Sequence, residues 1–278
     1  PMKISDRIAR AASLTGASLK TLVKVALQSR PVALSPADDP TRLLIMGNGP
    51  SLRAEIDSHL SELASSTTMA VNFAANAPEF TDLKPRYYLL ADPHFFSAGS
   101  DVNVDRLRAR LREVTWPMTL FTPRGTSIPE LPTNVTTEHF NMVGASGFRK
   151  LVRWLYDRRL AMARPRNVLI PALMIGVGLG FREIYILGAD HSWLRTLDVT
   201  DDNVVVSVQP HFYKEDPREQ QRVSSVYRDV RLHEILGSFA IAFAAYHDIA
   251  PWARERGTAI YNATPGSYID AFERRRPF

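Results

Sequence analysis

The residues best placed to do chemistry lie at turns that follow apolar runs. Leu43-Leu44-Ile45-Met46 ends in Gly47-Asn48-Gly49-Pro50-Ser51-Leu52, and a helical pattern follows to about Ala64. A buried strand, a tight glycine turn and a helix start are the parts from which backbone N–H groups and a helix dipole make an anion site. Gly47, Asn48, Gly49 and Ser51 are therefore candidate ligand contacts. The turn lacks the second half of both the dinucleotide fingerprint and the Walker loop. Polar residues also close three further strand-like runs: Asn72 after Met69-Ala70-Val71, Asp92 after Tyr88-Leu89-Leu90-Ala91, and Asp190 after Ile184-Tyr185-Ile186-Leu187-Gly188-Ala189. In an open parallel sheet such strand ends line one crevice, where ligands bind. Each of the three residues can equally cap a following helix.

Two of the seven histidines have a setting suited to proton transfer. His211, in Gln209-Pro210-His211-Phe212-Tyr213, lies on a polar stretch, and His191, followed by Ser192 and Trp193, comes directly after Asp190. Imidazole titrates near neutrality and suits a general base, so both are candidates, His211 first. Both can also be packed or surface histidines. Metal chemistry has no sequence support: there is no His-Glu-x-x-His and no Asp-x-Asp. No Gly-x-Ser-x-Gly elbow marks a hydrolase.

These residues need a scaffold, and the pattern of elements predicts an α/β fold: one Rossmann-like domain with a mainly parallel sheet and helices on both faces. Strands are expected at 43–46, 68–73, 87–92, 118–121, 183–190 and 258–262. Helices are expected after the glycine turn, at Asp105–Val114, Phe148–Ala163, Val168–Leu179 and Arg231–Arg256, with a closing helix from Ser267 to Arg275. The domain is expected to span 42–278 and to carry a lid insertion at about 191–223, with a linker at 31–41 before it.

The 278 residues include 34 Lys and Arg against 29 Asp and Glu, a net charge of +5, with 45% hydrophobic residues and no cysteine. This excludes disulfides, thiolate catalysis and cysteine-ligated zinc, and it is compatible with the cytoplasm. The apolar runs are too short for a membrane-spanning helix, and no signal peptide is evident. Residues 1–30 carry the whole charge excess: Lys3, Arg7, Arg10, Lys20, Lys24 and Arg30 face a single acid, Asp6. The body is balanced, so nucleic acid is not an expected partner. Within the tail, apolar residues from Ile4 to Leu27 recur at three- and four-residue steps. This predicts a basic amphipathic helix, or two helices broken near Gly16. It would pack on its own domain or on a second subunit of a homo-oligomer, or lie in an anionic inner-membrane surface as a peripheral anchor.

The ordered set Ile45–Leu52, Asn72-Phe73, Asp92-Pro93, Leu179–Asp190 and Ile260–Ser267 resembles the landmarks of the bacterial lipooligosaccharide sialyltransferases and the related catalytic domain of motility-associated flagellin glycosyltransferases. The similarity runs over roughly residues 42–272. It implies inverting transfer of an acidic keto-sugar, sialic-acid-like or Kdo-like, from a CMP-activated donor to a cell-surface glycan acceptor, without metal or other cofactor. Carried over, Asn48, Gly49, Ser51 and Asn72 would contact nucleotide and donor, and Asp190 would sit at the cytidine or ribose end. Gly47, Asp92 and Ser192 complete the donor-binding set. His211 would be the general base, and Tyr213 would help the phosphate leave. Asp92 stands where the sialyltransferases carry Asn, Asn167-Val168-Leu169 replaces their Ser-Gly before the apolar helix, and His191-Ser192-Trp193 replaces their aromatic pair. Two readings from other classes compete: a Mg²⁺- and ATP-dependent pyrophosphokinase of the pterin type, with Asp92 and Asp190 as metal ligands, and a non-catalytic nucleotide- or glycan-binding partner.

Overall fold

A computed structural model describes residues 3–97, 101–207 and 230–278. Its centre is an eight-stranded sheet in the order β10-β9-β6-β1-β2-β3-β4-β5. The strands are β1 (Arg42–Met46), β2 (Thr68–Val71), β3 (Tyr87–Leu89), β4 (Met118–Pro123), β5 (Val135–Phe140), β6 (Glu183–Leu187), β9 (Ala259–Asn262) and β10 (Glu273–Arg274). Every pairing between neighbours is parallel. A small antiparallel hairpin, β7 (Leu197–Val199) with β8 (Val205–Ser207), stands apart within the expected lid region.

Parallel strands covered on both faces read as continuous apolar runs, and the alternation here assigns each face. Leu43, Ile45, Ile184 and Ile186 join one core cluster, while Leu44, Met46, Tyr185 and Leu187 join the other. Helices α2 (Ser51–Ala64), α3 (Phe80–Leu83) and α4 (Val102–Arg112) supply the second cluster; α5 (Arg149–Asp157), α6 (Leu169–Gly178) and α7 (Leu232–Glu255) supply the first. The chain winds outward from β1 through β2 to β5, then returns to the other side of β1 with β6. That reversal between β1 and β6 creates a crevice at the carboxyl ends of the strands.

The sheet and the helices on both faces agree with the expected class. Three elements differ from the sequence reading. β5 was not expected: its middle residues, Thr136 to His139, are polar because it is an edge strand. The expected closing helix does not form. Ser267 Oγ donates to Ala189 O at 2.7 Å, Asn262 Nδ2 donates to Ile269 O at 2.9 Å, and Arg274 pairs with Asn262 in the sheet. These bonds, with Ile269 and Phe272 buried, hold the segment extended where a lone final helix would have bound only itself. The N-terminal helix, α1 (Ile4–Gln28), takes the unbroken form of the two expected and is continuous through Gly16. The connector after it is not a free linker: Leu34 is buried and Ala37 N donates to Leu179 O at 3.1 Å.

Candidate active site

The crevice opens into a cavity of about 540 Å³, within the range of small-molecule sites. Its lining includes Gly47, Asn48, Gly49, Asn72, Asp92, Asp190, His191 and Ser192, which brings the ends of β1, β2, β3 and β6 together. Ser51 is absent from that lining. His211 and Tyr213 fall outside the described residues.

The glycine turn is built around close packing of two backbones. Gly47 N donates to Leu187 O at 2.7 Å and Gly49 N to Gly188 O at 2.8 Å. A Cβ on Gly47 would stand 2.5 Å from Gly188 O, one on Gly49 would overlap Asp190 Oδ2, and one on Gly188 would stand 2.7 Å from Gly47 O. Gly188 also has φ of +63°. The three glycines thus let β1 and β6 meet edge to edge beyond the sheet, and this requirement exists before any ligand binds.

Asp190 occupies the start of α2. Its Oδ2 accepts from Ser51 Oγ at 2.8 Å and from Ser51 N at 3.4 Å. A carboxylate at a helix N-terminus meets unpaired N–H groups and the positive end of the dipole. The helix end that the sequence offers to a phosphate is therefore held by the protein's own acid, and the Ser51 hydroxyl is spent on it. Asp92 does the same locally: its Oδ1 accepts from His94 N at 2.9 Å and starts the short 3₁₀ turn Pro93–Phe96.

Asn72 is arranged differently. Its φ is +49°, a left-handed conformation that Asn tolerates better than most residues. The buried Tyr88 hydroxyl fixes it by donating to Asn72 O while accepting from Ala75 N at 2.8 Å. Among the described residues, the buried Asn72 Oδ1 has no hydrogen-bond partner. A buried acceptor left without a partner costs stability. Asn48 Nδ2 bridges the turn to β2 by donating to Val71 O at 3.2 Å.

His191 also has a left-handed backbone, φ +50°, and is only 7% exposed. Its Nε2 lies 2.6 Å from the hydroxyl of buried Tyr246, which donates to Asn167 Oδ1 at 3.0 Å. Asn167 Nδ2 also lies 3.4 Å from Nε2, so this ring nitrogen faces both Tyr246 and Asn167. The ring packs on Trp193 with centroids 4.2 Å apart. Burial pulls its pKa down to about 3, so it is neutral near pH 7 and a weak proton acceptor.

Sequence reasoning missed Arg166, Asn167, Tyr246 and Ser238. Arg166, Asn167 and Ser238 line the cavity, while Tyr246 supports it from beneath His191. Asn167 Oδ1 also accepts from Leu169 N at 3.0 Å and so caps α6, whose first residues reach the cavity. Exposed Arg166, one residue earlier, brings a cation to the same rim. The signal in Arg166-Asn167-Val168 was a basic residue and an N-cap directly before an apolar helix. Tyr246 and Ser238 carried no signal, since polar residues in a long amphipathic helix are ordinary.

No known family profile matches the chain, and no curated protein matches it. Among solved structures, its fold is similar to that of the MAf glycosyltransferase from Magnetospirillum magneticum AMB-1. The identity is 11% and the TM-score 0.50, over 89% of this chain and 35% of that protein. The chain thus spans about a third of that protein's length.

Proposed function

We propose that this protein is a glycosyltransferase that binds a nucleotide-activated sugar in the strand-end cavity. The observation that carries the reading is the cavity of about 540 Å³ at the β1/β6 crevice, whose wall includes Asn72, with a buried Oδ1 that has no partner among the described residues. The similarity of fold to a glycosyltransferase supports it. The landmark residues quoted from the sequence point further, to a CMP-linked acidic keto-sugar. Such a donor carries both a phosphate and a carboxylate, and Arg166 with the start of α6 supplies complementary positive charge.

In this reading the acceptor oxygen attacks the anomeric carbon from the face opposite CMP. The new C–O bond forms as the glycosyl–phosphate bond breaks, its electron pair leaves on the CMP phosphate, and configuration inverts. The acceptor proton passes to a histidine. His191 is the weaker candidate, because burial holds it neutral with Nε2 tied to Tyr246. It orients the rim with Trp193, and His211 is assigned as base. Tyr213 is assigned to the leaving phosphate. Asp92 takes a sugar or ribose hydroxyl, and Ser192 a donor oxygen. No divalent ion is required, since the cationic partners are side-chain and backbone groups.

The test is thermal stabilisation by CMP, CDP, UDP, GDP and ATP, each with and without Mg²⁺, followed by transfer assays with CMP-sugars. A ligand at 100 times its dissociation constant adds about 2.7 kcal/mol. A Mg²⁺-independent shift with CMP is expected. A shift only with ATP and Mg²⁺ would replace the reading with phosphoryl transfer, and no shift with any nucleotide would replace it with a binding role.

A further inference from the structure

Helix α1 is held to the body by a narrow polar ridge. Buried Thr21 exchanges bonds with Ser146: its Oγ1 donates to Ser146 O at 2.8 Å and accepts from Ser146 N at 3.0 Å. Buried Ser18 Oγ accepts from Phe148 N at 2.9 Å, against Gly147, where a Cβ would collide with Ser18. Beyond the helix, Ser29 Oγ donates to Leu160 O at 2.6 Å, and Arg30 exchanges bonds with Asn141. From Ile4 to Ser13, by contrast, every residue is exposed.

The apolar stripe of this helix does not face the body. Ile4, Ile8, Leu19, Leu22, Val23 and Leu27 are exposed by 43% to 76%. With 3.6 residues per turn, they fall on one broad arc whose centre is roughly a third of a turn from the Ser18–Thr21 ridge. Lys20 borders one edge of the arc, and Lys24, Arg10, Lys3 and Arg7 continue from it around the opposite face. A contiguous exposed apolar surface of this kind marks an interaction site.

We infer that α1 is an in-plane membrane anchor whose apolar arc enters an anionic bilayer while its lysines and arginines meet the lipid headgroups. Charge decides between lipid and a second copy. Six basic residues against one acid in residues 1–30 are neutralised by anionic headgroups, whereas a symmetric helix pair would leave two basic segments side by side. The arc is also wider than the narrow seam of a two-helix contact. Among the described residues no helix is long and apolar enough to cross a membrane, which fits a helix lying in the interface. The segment that receives α1 follows Met142, a residue of the cavity wall, so the anchored face and the site share one stretch of chain.

The experiment is co-sedimentation of the full chain with phosphatidylcholine vesicles, with and without about 30% phosphatidylglycerol. Binding is expected to be at least about tenfold stronger to the anionic vesicles and to weaken as salt is raised. Ile8→Glu with Leu22→Glu should reduce binding by about tenfold or more, and so should Lys20→Glu with Lys24→Glu. All four side chains point to solvent, so the thermal midpoint and nucleotide-dependent stabilisation should be unchanged. That separates a failure of this inference from a failure of the proposed function. Absence of vesicle binding, equal binding to neutral vesicles, or full binding by the Glu variants would overturn the inference. A self-association that the same variants abolish, without vesicle binding, would give the face to a second copy instead.

Discussion

Ser51 Oγ donates a 2.8 Å hydrogen bond to Asp190 Oδ2, joining the residue that starts α2 to the one that follows β6. The bond spans the point where the sheet reverses direction, so it closes the crevice floor. Replacing Asp190 with Ala should cost about 2 kcal/mol, combining a lost cap with a lost charge at a helix start. Ser51→Ala should cost about 1 kcal/mol. The double variant should cost little more than Asp190→Ala alone, because the two side chains act on one bond. Urea unfolding of the four proteins measures this; full additivity would mean that the bond does not contribute.

Gly49→Ala should be among the most damaging single changes at the turn. The new Cβ would overlap Asp190 Oδ2 and stand 2.6 Å from Gly188 O. Backbone atoms cannot give way as a side-chain tip can, so a loss of about 2–4 kcal/mol is expected. Combining it with Asp190→Ala removes only the first overlap and should rescue part of the loss. Thermal or denaturant unfolding of both variants checks this.

How far the sequence revealed this arrangement depends on what each residue is for. β1 and β6 were legible because strands buried on both faces appear as unbroken apolar runs, and residues at their ends converge whatever their roles. The glycines were legible as a turn, but their reason was not: Gly47 and Gly188, 141 positions apart in the chain, approach each other, and local spacing carries no such information. The start of α2 reads as an anion site until Asp190 is seen to fill it. Ser18 and Thr21 look like ordinary polar residues of an amphipathic helix, yet they form its buried side, while the stripe that pattern reasoning would bury faces solvent. His211 and Tyr213 remain assignments from sequence.

His191 should make the protein sensitive to mild acid. Its folded pKa, lowered by burial to about 3, lies below the ordinary value of about 6.5 for an unfolded histidine. The unfolded chain therefore takes up a proton that the native state refuses. The resulting stability is complete above about pH 7 and is lost as the pH falls from 6.5 toward 3, by about 2 kcal/mol at pH 5. His191→Asn suits the left-handed backbone and should flatten that part of the stability profile, even if it is less stable at pH 8. Unfolding curves at pH 8, 6.5 and 5 decide; an unchanged slope in the variant would mean that His191 is not the titrating group.

Arg166→Ala separates binding from folding. The side chain is exposed at the cavity rim, so unfolding free energy should change by less than about 0.5 kcal/mol. If the donor is anionic, its affinity should fall by about tenfold, the loss of one charge-assisted contact. Arg166→Lys should recover only part of this, since an ammonium cannot make the paired bonds of a guanidinium. Nucleotide titration followed by thermal shift reads both effects, and unchanged affinity in Arg166→Ala would remove the residue from the site.

Asn72 allows the amide to be tested apart from its backbone. Asn72→Gly keeps the φ of +49° without strain and leaves the Tyr88 contact to the main chain intact, because that contact uses Asn72 O. It removes the buried Oδ1 that lacks a partner among the described residues, so stability without ligand should hold or rise slightly. Nucleotide-driven stabilisation should nevertheless shrink, with affinity lower by about tenfold. Asn72→Ala loses the same amide and adds left-handed strain of about 1 kcal/mol. Equal loss of affinity in both variants, with lower stability only in Ala, would place the amide on the ligand. Retained affinity in Asn72→Gly would mean that the open oxygen is not a recognition group.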